Sequence, residues 1–190
     1  YLRTGIGVKK FYNPQDSYQN GGRIIPKTEP AIRYAEVLLI YAEALNELSN
    51  SYEIPSWDGS KTHTIKRDEA EMTRGIEPIR IRAGVPNYKA EVYHSKDLFR
   101  KALKRERQIE LFAEGHRYYD LRRWKDAATE ENEAVMGMNV DMKGSGTQKE
   151  RFYETTPTQI TKVFMDKMYL WPFTDDELKR NTKLTQNPGW

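Results

Sequence analysis

Three pairs of aromatic residues stand where glycine, proline and polar residues disfavour regular helix: Tyr12 with Tyr18, Tyr52 with Trp57, and Tyr88 with Tyr93. A flat apolar ring with a polar edge can stack on the C–H face of a sugar, so each pair is a candidate for saccharide contact. The competing reading folds these rings back onto a helical core. Trp57 and Tyr52, in the stretch between the first two helices, are the candidate ligand-binding residues. Carboxylates offer a second chemistry. Glu106, Glu110 and Glu114 recur at i, i+4 and i+8, half of a carboxylate metal set, but the Glu-x-x-His partners of a di-iron bundle are missing.

Other signatures are weaker. His63, His94 and His116 fall in no ligand spacing, and the chain has neither a P-loop nor a G-x-G-x-x-G. Counting from Asn139 puts Asp141, Gly144 and Glu150 in calcium-loop register, yet Lys143 occupies a place that needs an oxygen ligand. No metal or cofactor is therefore expected. A glycosidase needs two carboxyl groups set across a cleft, and no pair among the 28 acidic residues is marked out. The expectation is binding without catalysis, with a carbohydrate-active hydrolase as the remote alternative.

The 190 residues suffice for a real core, and 12% aromatic content argues against disorder despite 37% hydrophobic and 31% charged residues. A formal charge of +3 is too small for a whole-chain field that attracts nucleic acid. From Arg100 to Lys125 there are nine basic and four acidic residues; Arg100, Lys101, Lys104, Arg107 and Arg122 gather opposite the apolar arc and are read as a solvated outer face, because no stacking aromatics are interleaved in the usual way. Glu106, Glu110, Arg117 and Asp120, flanked by Arg105 and Arg123, lie toward the apolar side and are read as an internal ion network that fixes packing. Zero cysteines exclude disulfides and thiolate chemistry. The longest apolar run, Val37 to Ala42, is far short of the ~20 residues that span a bilayer. Beginning at Tyr1 without a signal peptide or lipid-attachment cysteine, the chain reads as a mature or excised piece.

The elements follow from periodicity. Residues 1–29 are an extended lead-in, with strand character only at Thr4 to Tyr12. A first helix runs from about Ala31 to Leu48 with Pro30 in its first turn and a stripe of Ala35, Leu38, Ala42 and Leu45. Ser49 to Thr64 is a polar loop. A second helix covers about Lys66 to Ala83, kinked near Gly75 and Pro78 and stopped by Gly84. A third, capped by Ser95, continues to about Ala127 through Gly115, with Leu98, Ala102, Ile109, Ala113 and His116 in one arc that Phe99, Leu103 and Leu121 widen. Arg151 to Thr155 and Ile160 to Met165 are strand candidates that a turn at Pro157 closes into a hairpin, and Thr174 with Glu177 opens a short helix. The class is mainly α with a small β element.

Four strings, RYAEVLLIYAEALNE (Arg33 to Glu47), IRIRAGVP (Ile79 to Pro86), ERQIELFAEGHRYYDLRRW (Glu106 to Trp124) and YLWPFTDDELKRNTKLTQNPGW (Tyr169 to Trp190), resemble in this order the C-terminal half of the SusD/RagB family of Bacteroidetes. Pro78 ahead of I-R-x-R-A-G and Phe173 in place of the usual Ile are local departures. The resemblance implies a mainly α, tetratricopeptide-like SusD-type fold with a small β-hairpin and long loops. It implies a non-catalytic lipoprotein on the outer surface of the outer membrane, capturing oligosaccharides or other nutrients for a SusC-like TonB-dependent transporter. On that reading residues 1–190 are the C-terminal portion, and the N-terminal helical repeats and lipid anchor lie outside the chain. None of the matching blocks carries a family ligand residue. The alternative from the amphipathic helices alone is a helical-repeat protein–protein adaptor.

Overall fold

The structure, a computed structural model, describes residues 2–190. They form two units, one of residues 17–117 and one joining residues 2–16 to 118–190.

The first unit is built on helices α1 (Tyr34–Glu47), α2 (Glu69–Arg82) and α4 (Lys96–Glu110), with the short α3 (Ala90–His94) leading into α4. Pairings fix their directions. Asn46 meets Arg67, Tyr41 meets Glu71, and Ala42 lies against Gly75, so α1 and α2 are antiparallel neighbours, as a tetratricopeptide-like pair requires. Glu47 takes both guanidinium arms of Arg100, while Arg33 reaches Glu110 and Glu114, so α4 also runs antiparallel to α1. Leu39, Ala42, Leu45, Met72, Ile76, Ile79, Phe99 and Leu103 make the shared core, with Ala35 and Leu38 packed on it. The stripe read in α1 is therefore the buried one.

That helix is apolar on a second side as well. Tyr34, Val37, Ile40 and Tyr41 are exposed at 75, 47, 51 and 36%. It begins at Tyr34, leaving Pro30 outside, because Arg33 is extended and takes the N-cap position. Helix α2 passes through Pro78 to Arg82 and stops as expected. Gly84 is left-handed, its N–H bonds Ile81 O, and Val85 N–H bonds Arg80 O, a Schellman closure.

Three expectations fail here for identifiable reasons. Ser49 to Thr64 is not merely a loop: β1 (Tyr52–Pro55) and β2 (Thr62–Ile65) pair antiparallel around Asp58-Gly59, a turn dipeptide. The third helix is not continuous. After α4, Ala113 and Gly115 adopt φ of 62° and 81°, and a new helix α5 (His116–Arg123) follows. Arg33 donates to the Glu110 carbonyl at 2.9 Å and to Glu114 at 2.7 and 2.9 Å, capping the chain where the periodic pattern would carry it on. The arc read along α4 is buried only on its Phe99 and Leu103 edge, continued by Glu106 and Arg107, whereas Leu98 and Ile109 at its centre stay 48 and 62% exposed. Tertiary charge partners, absent from a helical wheel, rotate the face.

The ion network is real: Asp120 pairs with Arg123 at 2.8 Å, both among the residues expected in it, while the partners of Glu106 and Glu110 come from other segments. Glu106 pairs with Arg80 and accepts from the Tyr88 hydroxyl at 2.7 Å, and Glu110 pairs with Arg33 and Arg82. Burial, then the bond to Glu106, pushes the Tyr88 phenol well above its usual range and keeps it a donor. Arg107, expected in water, is 4% exposed with Nε 4.0 Å from Glu43.

The second unit holds α6 (Ala127–Glu130), α7 (Gln148–Tyr153) and α8 (Asp175–Arg180) and a two-stranded sheet of β3 (Met136–Met138) and β4 (Thr155–Pro157). The predicted 151–165 hairpin is replaced because Thr147 and Glu150 form a capping box that starts α7, leaving β4 to pair back to β3. Thr4 to Tyr12 form no strand; Thr4 O accepts one bond from Met138 N–H. Thr174 caps α8 by accepting from Glu177 N–H. The terminal Q-N-P-G-W clasps Y-L-W-P-F. The Gln186 amide bonds both N–H and C=O of Phe173 at 2.9 Å, Asn187 donates to Trp171 O, and the Trp190 indole donates to Lys167 O and Leu170 O.

Gly75 sets the α1–α2 spacing: a Cβ there would stand 2.8 Å from both Ala42 Cβ and Leu38 O. Gly75→Ala gains up to about 1 kcal/mol of helix propensity, against about 1–3 kcal/mol for overpacking. Urea unfolding should therefore show a net loss of about 1 kcal/mol for Gly75→Ala and a larger one for Gly75→Leu. A stabilised Gly75→Ala would mean the helices stand farther apart.

Candidate functional site

The hairpin between α1 and α2 carries both sequence-predicted ligand residues. Alternation along β1 sets Tyr52 and Ile54 on one face, opposite Ile65 and His63, and Glu53 on the other, where Thr64 Oγ1 donates to its carboxylate at 2.7 Å. Ile65 packs against the core and ties the base of the hairpin to the helices. Tyr52 is 47% exposed.

The apex is organised by its own polar groups. Asp58 Oδ1 accepts from Ser56 Oγ at 2.6 Å, Ser60 Oγ at 2.8 Å and Ser60 N–H at 3.1 Å. Ser56 N–H bonds Lys61 O at 2.8 Å, Lys61 N–H returns to Ser56 Oγ at 3.0 Å, and Gly59 supplies the left-handed residue at φ 70°. These donors, the Ser56 hydroxyl first, pull the Asp58 carboxyl down to about 2. The turn therefore holds its shape with no core beneath it, and Trp57 stands on it 98% exposed. Among the described residues neither Trp57 nor Tyr52 stacks on another ring; the fold brings them onto one ribbon, not into contact.

The other candidates separate. Tyr93 is 2% exposed, with ring centroids 6.1 Å from Tyr88 and 5.4 Å from Phe99, so that pair belongs to the core. Tyr12 and Tyr18 are exposed and fall in different units. Glu106, Glu110 and Glu114 spend their oxygens on Arg80, Tyr88, Arg82 and Arg33. In the calcium-like register, the Asn139 amide closes its own turn onto Lys143, and Glu150 is held by Thr147.

Sequence reasoning missed two features. Trp171 is 76% exposed although its carbonyl is held by Asn187. A polar groove in the second unit gathers residues as distant as Arg3, Asn139 and Gln159. Its residues share no local pattern; only the β3–β4 pairing reveals them.

Comparison with known proteins gives a consistent relationship. A sequence model of the SusD family matches residues 1–190. The SusD-like protein P2 of Formosa agariphila is 32% identical over 186 residues, covering 96% of this chain and 30% of that protein. Among solved structures, BT4246 superposes with a TM-score of 0.69 at 27% identity, covering 96% of this chain and 28% of that one. A SusD-like protein (BF3747) from Bacteroides fragilis NCTC 9343 gives 0.59 at 26% identity over 84% of this chain and 25% of that one. The chain thus spans under a third of the length of each relative. With a family model that matches the whole chain, the chain belongs to the SusD family.

Proposed function

We propose that this chain is the C-terminal portion of a non-catalytic, outer-membrane nutrient-binding lipoprotein that captures oligosaccharides and passes them to a SusC-like TonB-dependent transporter. Family membership and the coverage of under a third of each relative support that role. The observation that carries saccharide contact is Trp57, 98% exposed on a turn braced by Asp58. An indole held in water by a rigid turn loses little freedom on binding, so its stacking on a sugar face is not offset by ordering. Tyr52, lower on the same ribbon, supplies a second amphipathic ring. No residue of the ion-paired helices takes part in this contact.

Calorimetric titration of the 190-residue chain with neutral plant and microbial oligosaccharides tests the reading. Trp57→Ala should lower affinity about tenfold or more, about 1.4 kcal/mol, and Tyr52→Ala by less, with unfolding midpoints unchanged. Full affinity in Trp57→Ala would remove the hairpin from the site.

The brace has its own pH signature. Because the folded-state carboxyl of Asp58 lies below its unfolded value of about 3.9, its contribution is present above that pH and disappears as pH falls through about 2. Amide exchange at Ser60 and Lys61 should therefore accelerate, after correction for intrinsic rates, between about pH 4 and pH 2. Asp58→Ala should show the fast behaviour already at neutral pH. Slow exchange in that variant would show that the backbone alone holds the apex.

A further inference from the structure

The second unit contains a groove of about 500 Å³ over the β3–β4 sheet. Its frame is tight. A Cβ on Gly137 would stand 2.8 Å from Thr158 Cγ2 and 2.9 Å from both Thr4 Cα and Thr4 O, so the N-terminal segment, β3 and the residues after β4 are in close contact. Met138 N–H bonds Thr4 O at 2.9 Å, which ties the N-terminal segment to β3 and keeps Arg3 in the lining together with Gln159. The floor is also fixed: Asn139 is 8% exposed, and its side chain closes the 139–143 turn through both N–H and C=O of Lys143.

The lining has a definite chemistry. Arg3 and Lys143 are balanced by Asp141 and Glu154, and Lys143 Nζ stands 3.5 Å from Asp141. Among the described residues the side chains of Arg3, Glu154 and Gln159 have no hydrogen-bonding partner. An anion would face Asp141 and Glu154, a cation would face Arg3 and Lys143, and an apolar ligand would strip water from three unpaired polar groups. A neutral ligand rich in hydroxyls avoids all three penalties. The guanidinium, carboxylate and amide are planar groups that engage two adjacent hydroxyls each, while Met138, Val140 and Pro157 offer an apolar wall to a C–H face.

We infer that this groove is a binding site for a neutral saccharide, with Arg3, Glu154 and Gln159 reading its hydroxyls. The inference rests on the capture role only for its choice of probe, since the groove lies in a different unit from the hairpin. The test is a set of amide correlation spectra of the full 190-residue chain titrated with cellotetraose, maltotetraose and mannotetraose, and separately with trigalacturonate and inorganic phosphate. A neutral tetrasaccharide should shift amides at 3–5, 138–143 and 154–159. Its affinity should stay constant between about 50 and about 300 mM salt and fall about tenfold in Arg3→Ala and in Gln159→Ala. Both residues are exposed, and spectral dispersion reports that each variant is folded. No groove shift with any neutral tetrasaccharide, groove shifts with the anions alone, or unchanged affinity in both variants would overturn the assignment. Shifts confined to 52–65 would overturn it while leaving the hairpin reading intact; groove shifts with a silent hairpin would do the reverse.

Discussion

One arginine sets the geometry of the helical unit. Arg33 lies just ahead of α1 and grips the carboxylates of Glu110 and Glu114 together with the Glu110 carbonyl, from a site where its side chain is 23% exposed and theirs are 9 and 10%. A nearly buried carboxylate without a cation is costly, and removing one partner of such a pair typically destabilises by about 3–5 kcal/mol. The interaction therefore decides where α4 ends and how α1 lies along it. Arg82 on Glu110, and Arg80 with Tyr88 on Glu106, extend the same logic to α2. What the network supplies is register more than net stability, since desolvation offsets much of the attraction.

Much of this was legible in the residues. The apolar stripe of α1, the Gly84 stop, the Ser95 cap and the placing of Glu106 and Glu110 toward the core all follow from local periodicity and capping chemistry. The break after Glu110 was not, because it depends on an arginine 77 residues away. The hairpin of Tyr52 to Ile65 had a readable signal in Asp58-Gly59 and the short alternation on either side, but polar composition hid it. Helix α7 had one too, in Thr147 and Glu150. The clasp of Q-N-P-G-W onto W-P-F shows why a terminal string can be distinctive: Gln186 pairs with a backbone that lacks a strand partner, and Trp190 spends its indole N–H on two carbonyls.

The candidate sites stand apart from this scaffold. Trp57 was picked out by type and loop context, and its exposure follows from a turn braced by Asp58. The groove could not be read from the chain, because Arg3, Glu154 and Gln159 converge only when β3 pairs with β4. The charged blocks hold helices, whereas the proposed recognition is assigned to an exposed indole and to unpaired planar groups on short strands and loops. Side chains already saturated by neighbours have little left to offer a ligand, and those that bind must be held by others.

The most direct test of this division is a double-mutant cycle of Arg33→Ala and Glu110→Gln, read by urea unfolding. A coupling of about 2 kcal/mol or more is expected, because both groups are largely withdrawn from water and joined by charge-assisted hydrogen bonds. A coupling below about 0.5 kcal/mol, the range of additive sites, would contradict the claim that Arg33 sets the register of the helices.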